Sequence, residues 1–271
     1  MARLDLGSHS VEYRDAGEGA PVVLLHSGGL GARQWTRLAG RLEGAHRVIA
    51  PSFLGTAGTS GVPRDADFHF HQDVALVEGL LDALGVGPAH VVGHSYGGLV
   101  GLTLARRQPR RVLSLALFEP VAFGVLYSTD DAEGIRDLER EDDDGAFFDD
   151  AVGGQEPWLE RFIDWWQGPG SWAAMSDAGR ETFLAVGRKV YQEVRSLTAD
   201  RTPHDGYGEV RAPTLLMTAE RSPLAARRVV AILGEHLPNA TVSFFPGAGH
   251  MAPLTDGHTV NAAIVEHLGR V

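Results

Sequence analysis

Short apolar runs alternate along this chain with longer segments in which apolar residues recur every three or four positions. Near-continuous apolar runs are typical of strands covered on both faces of a sheet, whereas the longer spacing predicts amphipathic helices. The runs that predict strands occupy residues 21–26, 46–50, 90–92, 111–118, 214–218 and 241–245. The segments that predict helices occupy residues 34–42, 73–84, 99–107, 223–237 and 260–268. Repeated strand–helix units predict an α/β fold, with a mostly parallel central sheet and helices on both faces.

Residues 123–208 interrupt this alternation. They begin with an acidic stretch and continue with aromatic residues at helical spacing, including four of the five tryptophans of the chain. We therefore predict a core formed by residues 1–122 and 209–271 and a helical cap insertion formed by residues 123–208. Two short strands at 3–6 and 11–14 are expected to open the core as a hairpin joined through residues 7–8. The Gly-, Thr- and Ser-rich residues 51–63 are expected to form a loop.

Composition and charge exclude several classes of function. The 271 residues carry a net charge of −11, most of it in residues 128–150, which hold eleven acidic and two basic residues. Such a run usually forms a solvated face, and its sign argues against nucleic acid as a partner. The chain has no cysteine, so disulfides and thiolate chemistry are excluded. Because no signal peptide and no membrane-spanning run is evident, we expect a cytoplasmic protein without a membrane partner.

The strongest chemical signal is the stretch Gly93-His94-Ser95-Tyr96-Gly97-Gly98, a Gly-x-Ser-x-Gly motif between a predicted strand and a predicted helix. In a strand-to-helix turn this tight, Gly93, Gly97 and Gly98 occupy positions that have no room for a Cβ. The turn holds the Ser95 hydroxyl at the carboxyl edge of the sheet, where the amino terminus of the next helix favours developing negative charge. The pentapeptide alone could arise by chance in a glycine-rich chain, but its strand–helix context makes Ser95 a candidate nucleophile.

A serine hydroxyl is a weak nucleophile at neutral pH and needs a base within hydrogen-bond distance. Imidazole titrates near neutrality and can both accept and return the proton. Among the twelve histidines, His250 fits this role best, in a loop of small residues directly after a late strand. We expect His94 to pack beneath the turn. His69 and His71 lack further ligands at suitable spacing, so we predict no metal site.

Together these features resemble the α/β-hydrolase fold family, in its capped and cofactor-free branch. The Ser95 turn, the loop after His26 and the Gly-Ala-Gly-His250 loop lie where that family has its functional loops. The resemblance covers residues 1–122 and 210–271, and residues 123–208 match only in position and helical character. It implies that Ser95 attacks, that His250 takes the proton and that an acid orients the histidine, without a cofactor.

The resemblance also implies an oxyanion hole made of two backbone N–H groups. Tyr96, directly after the nucleophile, supplies one of them, and the loop after His26 supplies the other, which we assign to Gly28. The family usually has glycine where this chain has Ser27, so Gly29 stays as the alternative.

The position of the acid is the main departure from the family pattern. An aspartate is usual shortly after the strand that here ends at Thr218, but this chain has Ser222 at that place. Some members, haloalkane dehalogenases among them, take the acid from the end of the preceding strand, where this chain has Glu119. We predict Glu119 as the acid. The alternatives are Glu220, a water molecule, or no acid at all.

These interpretations predict a serine hydrolase that cleaves an ester, thioester or related acyl bond of a small, fairly apolar substrate. Phe123, Tyr127, Trp165 and Trp166 of the cap are expected to shape the substrate pocket. One alternative is a carbon–carbon bond hydrolase, lyase or cyclase on the same fold, acting in small-molecule metabolism. Another is a ligand-binding receptor on a hydrolase scaffold. Fold does not specify substrate, and the sequence does not specify an oligomeric state.

Overall fold

Eight strands form one sheet in the computed structural model, which describes residues 1–7, 9–61 and 67–271. The strands are β1 (Ala2–Asp5), β2 (Ser10–Ala16), β3 (Ala20–Leu25), β4 (His46–Pro51), β5 (Ala89–His94), β6 (Val112–Phe118), β7 (Thr214–Ala219) and β8 (Ala240–Phe245). Their order in the sheet is β1-β2-β4-β3-β5-β6-β7-β8. The pairs β1–β2 and β2–β4 are antiparallel, and all the others are parallel. The predicted α/β class, with its mostly parallel sheet, is confirmed. Residues 8 and 62–63 of the predicted hairpin turn and loop lie outside the described residues.

Eleven α-helices accompany the described strands. In chain order they are α1 (Thr36–Leu42), α2 (His71–Ala83), α3 (Tyr96–Arg107), α4 (Gly124–Ser128), α5 (Ala132–Glu139), α6 (Glu156–Gln167), α7 (Ser171–Ala174), α8 (Asp177–Ala199), α9 (Leu224–His236), α10 (Ala252–Thr255) and α11 (Gly257–Leu268). Short 3-10 turns precede α1 and β6 and also lie within residues 140–142 and 204–207. Within the described ranges, no helix has the length and apolar character needed to cross a membrane.

Alternate side chains of the central strands enter two apolar cores on opposite faces of the sheet. On β3, Val23 and Leu25 belong to the core to which α2, α3 and α9 contribute, whereas Val22 and Leu24 belong to the core to which α1 and α11 contribute. All four side chains are fully buried, which explains why this strand is a continuous apolar run. Burial of each such side chain contributes about 1.5–3 kcal/mol, so the two cores hold the sheet rigid.

The strand order reverses at β3, and this reversal positions the site. The chain leaves β3 toward β4 on one side and then returns to β5 on the other side. In open α/β sheets, ligands bind outside the carboxyl ends of the strands at such a point. The loop after β3 and the turn after β5 therefore border one crevice, and these are the two segments that contain Gly28 and Ser95.

The segment between β6 and β7 contains α4 to α8 and has an apolar core of its own. Its centre is Trp158, whose indole stacks with Phe147 at 5.1 Å and with Phe162 at 5.2 Å between ring centroids. We call residues 123–208 the helical segment; that it forms a separate cap unit stays a prediction. Hydrogen bonds tie it to the rest of the chain, among them Phe70 N–H to Ser196 Oγ at 2.9 Å.

Candidate active site

Ser95 lies on the sharp turn between β5 and α3, with φ 55° and ψ −116°. A positive φ costs a residue other than glycine about 1–3 kcal/mol, so the surroundings must hold it. The Ser95 N–H donates to the carbonyl of Phe118 at 2.8 Å. A Cβ on Gly97 would lie 2.3 Å from the carbonyl oxygen of Leu25, and a Cβ on Gly93 only 2.6 Å from that of Gly97. The turn therefore requires glycine at both places, as predicted from the motif.

Glu119 fixes the orientation of the His250 imidazole. The His250 Nδ1–H donates to Glu119 Oε2 at 2.6 Å, while Glu119 Oε1 accepts from the Thr218 hydroxyl at 2.9 Å and the Ala219 N–H at 2.8 Å. Both partners are buried, His250 to 3% and Glu119 to 0% exposure. With the proton on Nδ1, Nε2 is left as the acceptor that a base needs. Within the described chain, Ser95 and Nε2 form no direct hydrogen bond; contacts of this kind often tighten only on substrate binding.

Glu220, the alternative acid, and Ser222, which stands at the family's usual acid position, form no hydrogen bond with the imidazole in the described structure. Glu220 is exposed, and its Oε2 accepts the Gly247 N–H at 2.7 Å. Ser222 is buried, and its hydroxyl has no hydrogen-bond partner among the described residues. Glu119 itself has φ 45°, and its N–H donates to the carbonyl of Met217 at 2.9 Å. The geometry thus brings Glu119, and neither Glu220 nor Ser222, to the imidazole.

His94 packs beneath the turn as predicted and joins the two loops of the site. Its Nε2–H donates to the carbonyl of His250 at 2.9 Å, and its Nδ1 accepts from the Gln34 amide at 3.1 Å. The Gln34 oxygen in turn accepts the Ser27 N–H at 2.8 Å. Burial lowers the pKa of His94 well below its ordinary value, and the neighbouring His250 acts in the same direction. A neutral His94 therefore positions the His250 loop against the loop after β3. The sequence analysis did not identify Gln34, since a lone glutamine before a helix carries no signal.

Tyr96 and Gly28 border the same cleft as Ser95. The N–H of Tyr96 lies in the first turn of α3, where backbone donors have no partner within the helix. Gly28 follows β3, and its neighbour Gly29 adopts φ 71° and packs against Val190. The assignment of Tyr96 and Gly28 as the two donors of an oxyanion hole stays a prediction.

A narrow cleft with a free volume of about 80 Å³, partly open to solvent, extends from Ser95 and His250 into the helical segment. Aromatic and aliphatic side chains form most of its wall, including Phe123, Trp165 and Trp166. The charged side chains in the described wall, apart from the imidazole, are two carboxylates, Glu141 and Glu193, and it contains neither lysine nor arginine. The cleft therefore suits an uncharged or cationic molecule that is mainly apolar.

Trp166 contacts the candidate base directly. Its indole stacks on the His250 imidazole with ring centroids 3.7 Å apart and an interplanar angle of 21°. Trp165 meets Trp166 edge to face at 4.5 Å. Tyr127 departs from the prediction, because it does not line the cleft. Its hydroxyl donates to Glu139 at 2.8 Å, and the guanidinium of Arg201 lies 4.0 Å from its ring centroid, which holds the side chain away from the site.

A buried ionic cluster, which the sequence analysis missed, lies beside the oxyanion-hole candidates. The Lys189 ammonium donates to Asp73 Oδ2 and to Glu193 Oε1, both at 2.8 Å. The Tyr96 hydroxyl donates to the same Asp73 oxygen at 2.6 Å, and Leu54 N–H donates to the other Asp73 oxygen at 2.9 Å. In the sequence, Lys189 and Glu193 have the spacing of an ordinary surface ion pair on a helix. Only the fold shows that both are buried.

Comparison with known proteins identifies the family of this chain. The model of a family described as alpha/beta hydrolase fold matches residues 20–257. A protein of Variovorax paradoxus, provisionally named as a carbamate hydrolase, is 30% identical over 258 residues, which are 92% of this chain and 92% of that protein. A 2-hydroxy-6-oxononadienedioate/2-hydroxy-6-oxononatrienedioate hydrolase of Paraburkholderia xenovorans is 26% identical over 272 residues, 97% of this chain and 91% of its own.

Solved structures give the same fold. A mutant of the meta-cleavage product hydrolase CumD superposes with a TM-score of 0.76 and 22% identity, covering 100% of this chain and 98% of its own. At this level of identity the likeness concerns the fold alone.

Proposed function

Because this chain belongs to the alpha/beta hydrolase fold family, we propose that it is a serine hydrolase that cleaves an ester, thioester or related acyl bond of a small, fairly apolar substrate. The observation that carries the proposal is the convergence of three features in one cleft. Ser95 stands on a strained turn, His250 is buried with Nε2 free to accept, and Glu119 holds the opposite nitrogen. Nucleophile, base and orienting acid are the components that acyl transfer by serine requires.

In the first half of the proposed reaction, Ser95 Oγ attacks the carbonyl carbon while His250 Nε2 accepts its proton. The imidazolium that forms is stabilised by the Glu119 carboxylate at 2.6 Å from Nδ1. The carbonyl oxygen becomes an oxyanion, which the N–H groups of Tyr96 and Gly28 bind. Removal of one donor of this kind typically costs about 10²–10³ in kcat.

In the second half, His250 returns its proton to the leaving oxygen or sulfur, and the acyl group stays on Ser95. A water molecule then takes the place of the leaving group, gives its proton to Nε2 and attacks the acyl carbon. The tetrahedral intermediate collapses to release the carboxylic acid and to restore the serine hydroxyl. The same three side chains serve both halves.

The wall of the cleft supports an apolar acyl or leaving group. Phe123, Trp165 and Trp166 come from the helical segment, which we propose acts as a cap over the site. The described wall has no cation for an anionic substrate, since Lys189 is already bound by Asp73 and Glu193.

Hydrolysis of p-nitrophenyl esters of increasing acyl length, compared between the wild type and Ser95→Ala, tests the proposal. We expect turnover of acyl chains of intermediate length and a loss of about 10⁴-fold or more in Ser95→Ala. Fluorophosphonate labelling followed by mass spectrometry should place the adduct on Ser95. A wild type that neither hydrolyses these esters nor forms the adduct contradicts the proposal and favours a receptor on this scaffold.

Carbon–carbon bond hydrolysis is the second candidate, and the relative from Paraburkholderia xenovorans supports it, because the match spans 97% of this chain. Its named substrate is a dioate, whose two carboxylates the described wall offers no lysine or arginine to bind. The loss of absorbance of a 2-hydroxy-6-oxodienoate, measured beside the ester assay, separates the two candidates. Faster turnover of the dienoate than of every ester favours the carbon–carbon reaction.

A further inference from the structure

Glu193 lines the cleft, and one of its two carboxylate oxygens has no hydrogen-bond partner among the described residues. The side chain is 1% exposed, and its Oε1 accepts from Lys189 at 2.8 Å. The Gly29 N–H approaches the carboxylate closely enough to lower its pKa, but among residues 1–7, 9–61 and 67–271 no donor forms a hydrogen bond of good geometry with Oε2, although this atom is buried. An unsatisfied buried polar group costs about 1–3 kcal/mol, and more when it is charged. A group of this kind in the wall of a ligand cleft points to a partner that the ligand brings.

The position of Oε2 relates it to the candidate oxyanion hole. A Cβ built on Gly28 would lie 2.7 Å from Glu193 Oε2 and 3.8 Å from the Cβ of Tyr96. We propose that the N–H groups of these two residues, Gly28 and Tyr96, bind the oxyanion. The free carboxylate oxygen therefore lies next to the place where the reacting carbonyl must sit.

The Glu193 carboxylate is not needed to neutralise a buried cation of the cluster. Lys189, from the same helix α8, is the cation of the cluster, and Asp73, from α2, already binds and neutralises it at 2.8 Å. Tyr96, from α3, donates to Asp73 rather than to Glu193. An apolar residue in place of Glu193 would leave the Lys189–Asp73 pair complete, and burial of a second carboxylate carries a large desolvation cost.

We propose that Glu193 determines substrate specificity by accepting a hydrogen bond from a hydroxyl or protonated amine close to the reacting carbonyl. The proposal rests on the proposed acyl-hydrolase function and adds a substrate class to it. A substrate with such a donor satisfies Oε2, whereas an apolar group at the same place leaves it unpaired. Sites built to hydrogen-bond a substrate group discriminate strongly against analogues that lack it.

The ionisation of Glu193 agrees with this role. Burial raises its pKa to about 7, against the lowering effects of Lys189 and of the Gly29 N–H, while Asp73 raises it further. The carboxylate is therefore fully charged only above neutrality. Preference for a cationic donor should accordingly increase as the pH rises from about 6 to about 8.

A pair of esters of nearly equal shape tests the proposal. The p-nitrophenyl esters of β-hydroxybutyrate and isovalerate differ by a hydroxyl in place of a methyl group, and the β-aminobutyrate ester supplies the cationic donor. We expect the wild type to prefer the hydroxy ester by about 10- to 100-fold in kcat/KM. In Glu193→Gln, the amide oxygen can keep Lys189 and the amide N–H faces the cleft; because an ammonium group cannot accept a hydrogen bond, the preference for the β-aminobutyrate ester over isovalerate should fall to about one.

Glu141→Gln is the matched control, because it changes the other carboxylate of the wall. Glu141 is paired with Arg140 and Arg161, so its loss should leave the ratio between the two esters unchanged. If Glu193→Gln does not fold by circular dichroism, the pH dependence of the wild-type preference for β-aminobutyrate decides instead.

The outcomes separate this proposal from the proposed function. Equal turnover of the two esters by the wild type, or a preference for the β-aminobutyrate ester over isovalerate that survives in Glu193→Gln, overturns the role of Glu193 while ester hydrolysis stands. If no ester is hydrolysed, the proposed function fails. Calorimetry with the methyl esters of the same two acids then tests Glu193, and equal binding by Ser95→Ala overturns the specificity role.

Discussion

The indole of Trp166 lies face to face with the imidazole of His250, with ring centroids 3.7 Å apart. Glu119 holds the same ring from its edge through Nδ1 at 2.6 Å. The hydrogen bond sets the direction of the ring within its plane, and the stacked indole limits its tilt. The helical segment thus contributes to the geometry of the proposed base as well as to the wall of the cleft.

Trp166→Ala should lower kcat by about 10-fold, because an aromatic pair of this kind contributes about 0.5–1.5 kcal/mol beyond burial and also restrains the ring. Trp166→Phe keeps a stacked ring and should retain most of the activity. Steady-state kinetics on a p-nitrophenyl ester separates kcat from KM. An increase in KM alone in both variants would mean that Trp166 binds substrate without positioning His250.

Glu119→Gln should lower kcat by about 10³-fold or more, since an amide facing Nδ1 cannot stabilise the imidazolium and can favour the wrong tautomer. Glu220→Gln is the matched control and should change kcat less than about threefold, because its carboxylate binds the exposed Gly247 N–H. Kinetics on the same ester compares them. Equal losses in both variants would contradict the assignment of the acid.

Ser222 offers a second route to the same test. Its buried hydroxyl has no hydrogen-bond partner among the described residues, and it occupies the place where related enzymes usually have the acid. Ser222→Asp introduced into Glu119→Gln should restore about 10-fold of the lost kcat, because it supplies a carboxylate from the position where the family usually has its acid. No recovery, in a protein with an unchanged circular dichroism spectrum, would show that the β7 loop cannot carry the acid here.

Gly97→Ala should prevent folding or reduce the free energy of unfolding by about 3 kcal/mol or more, because the new Cβ meets two backbone carbonyls that cannot move independently. Gly40→Ala is the contrasting variant. Gly40 is exposed within α1, and nothing lies within 4 Å of an added Cβ, so alanine should stabilise by about 0.5–1 kcal/mol. Urea denaturation of both proteins checks the pair, and a stable Gly97→Ala protein would contradict the described turn.

Stability should fall as the pH decreases below neutrality, and His26 is one cause. Burial lowers its pKa from 6.5 to about 4, although the bond to the Ser27 carbonyl opposes the shift. Between these values the unfolded chain binds a proton that the folded chain does not, so the free energy of unfolding decreases with falling pH, by up to about 3 kcal/mol from this group.

Two histidine variants test whether His26 causes this loss of stability at low pH. In His26→Gln, the amide oxygen can still accept the Phe53 N–H that Nε2 accepts at 3.0 Å, and the decrease between about pH 6.5 and pH 4 should be smaller than in the wild type. His258→Gln, at an exposed position, should leave the slope unchanged. Urea denaturation at several pH values measures the slopes, and parallel curves for His26→Gln and wild type would contradict the assignment.

The elements with local signals could be predicted from the sequence. Continuous apolar runs marked the buried strands, because a strand covered on both faces needs apolar side chains at successive positions. The glycines around Ser95 marked the turn, because a Cβ there would clash with the backbone. The choice between Glu119 and Glu220 was open at that level, because each follows a central strand and only the three-dimensional path of the two loops brings one of them to His250.

The remaining site residues had no local signal or a misleading one. Lys189 and Glu193 have the spacing of a solvent-exposed ion pair on a helix. Asp73, which accepts the other hydrogen bond from Lys189, is more than a hundred residues away along the chain. Tyr127 was expected in the pocket as one of four aromatic residues of the predicted cap. The short helix α4 turns it instead toward Glu139 and Arg201, and sequence spacing does not give the rotation of so short a helix.

Glu119 is followed directly by Pro120, where the chain leaves the sheet for the helical segment, and Thr218 and Ala219, which hold its carboxylate, belong to the strand by which the chain returns. The junction between the sheet and the proposed cap and the support of the proposed base are therefore the same few residues. An insertion or deletion within the helical segment that displaced its two ends would disturb the imidazole as well. Cap exchange between relatives should thus preserve this junction, with the crossover points placed after Pro120 and before β7.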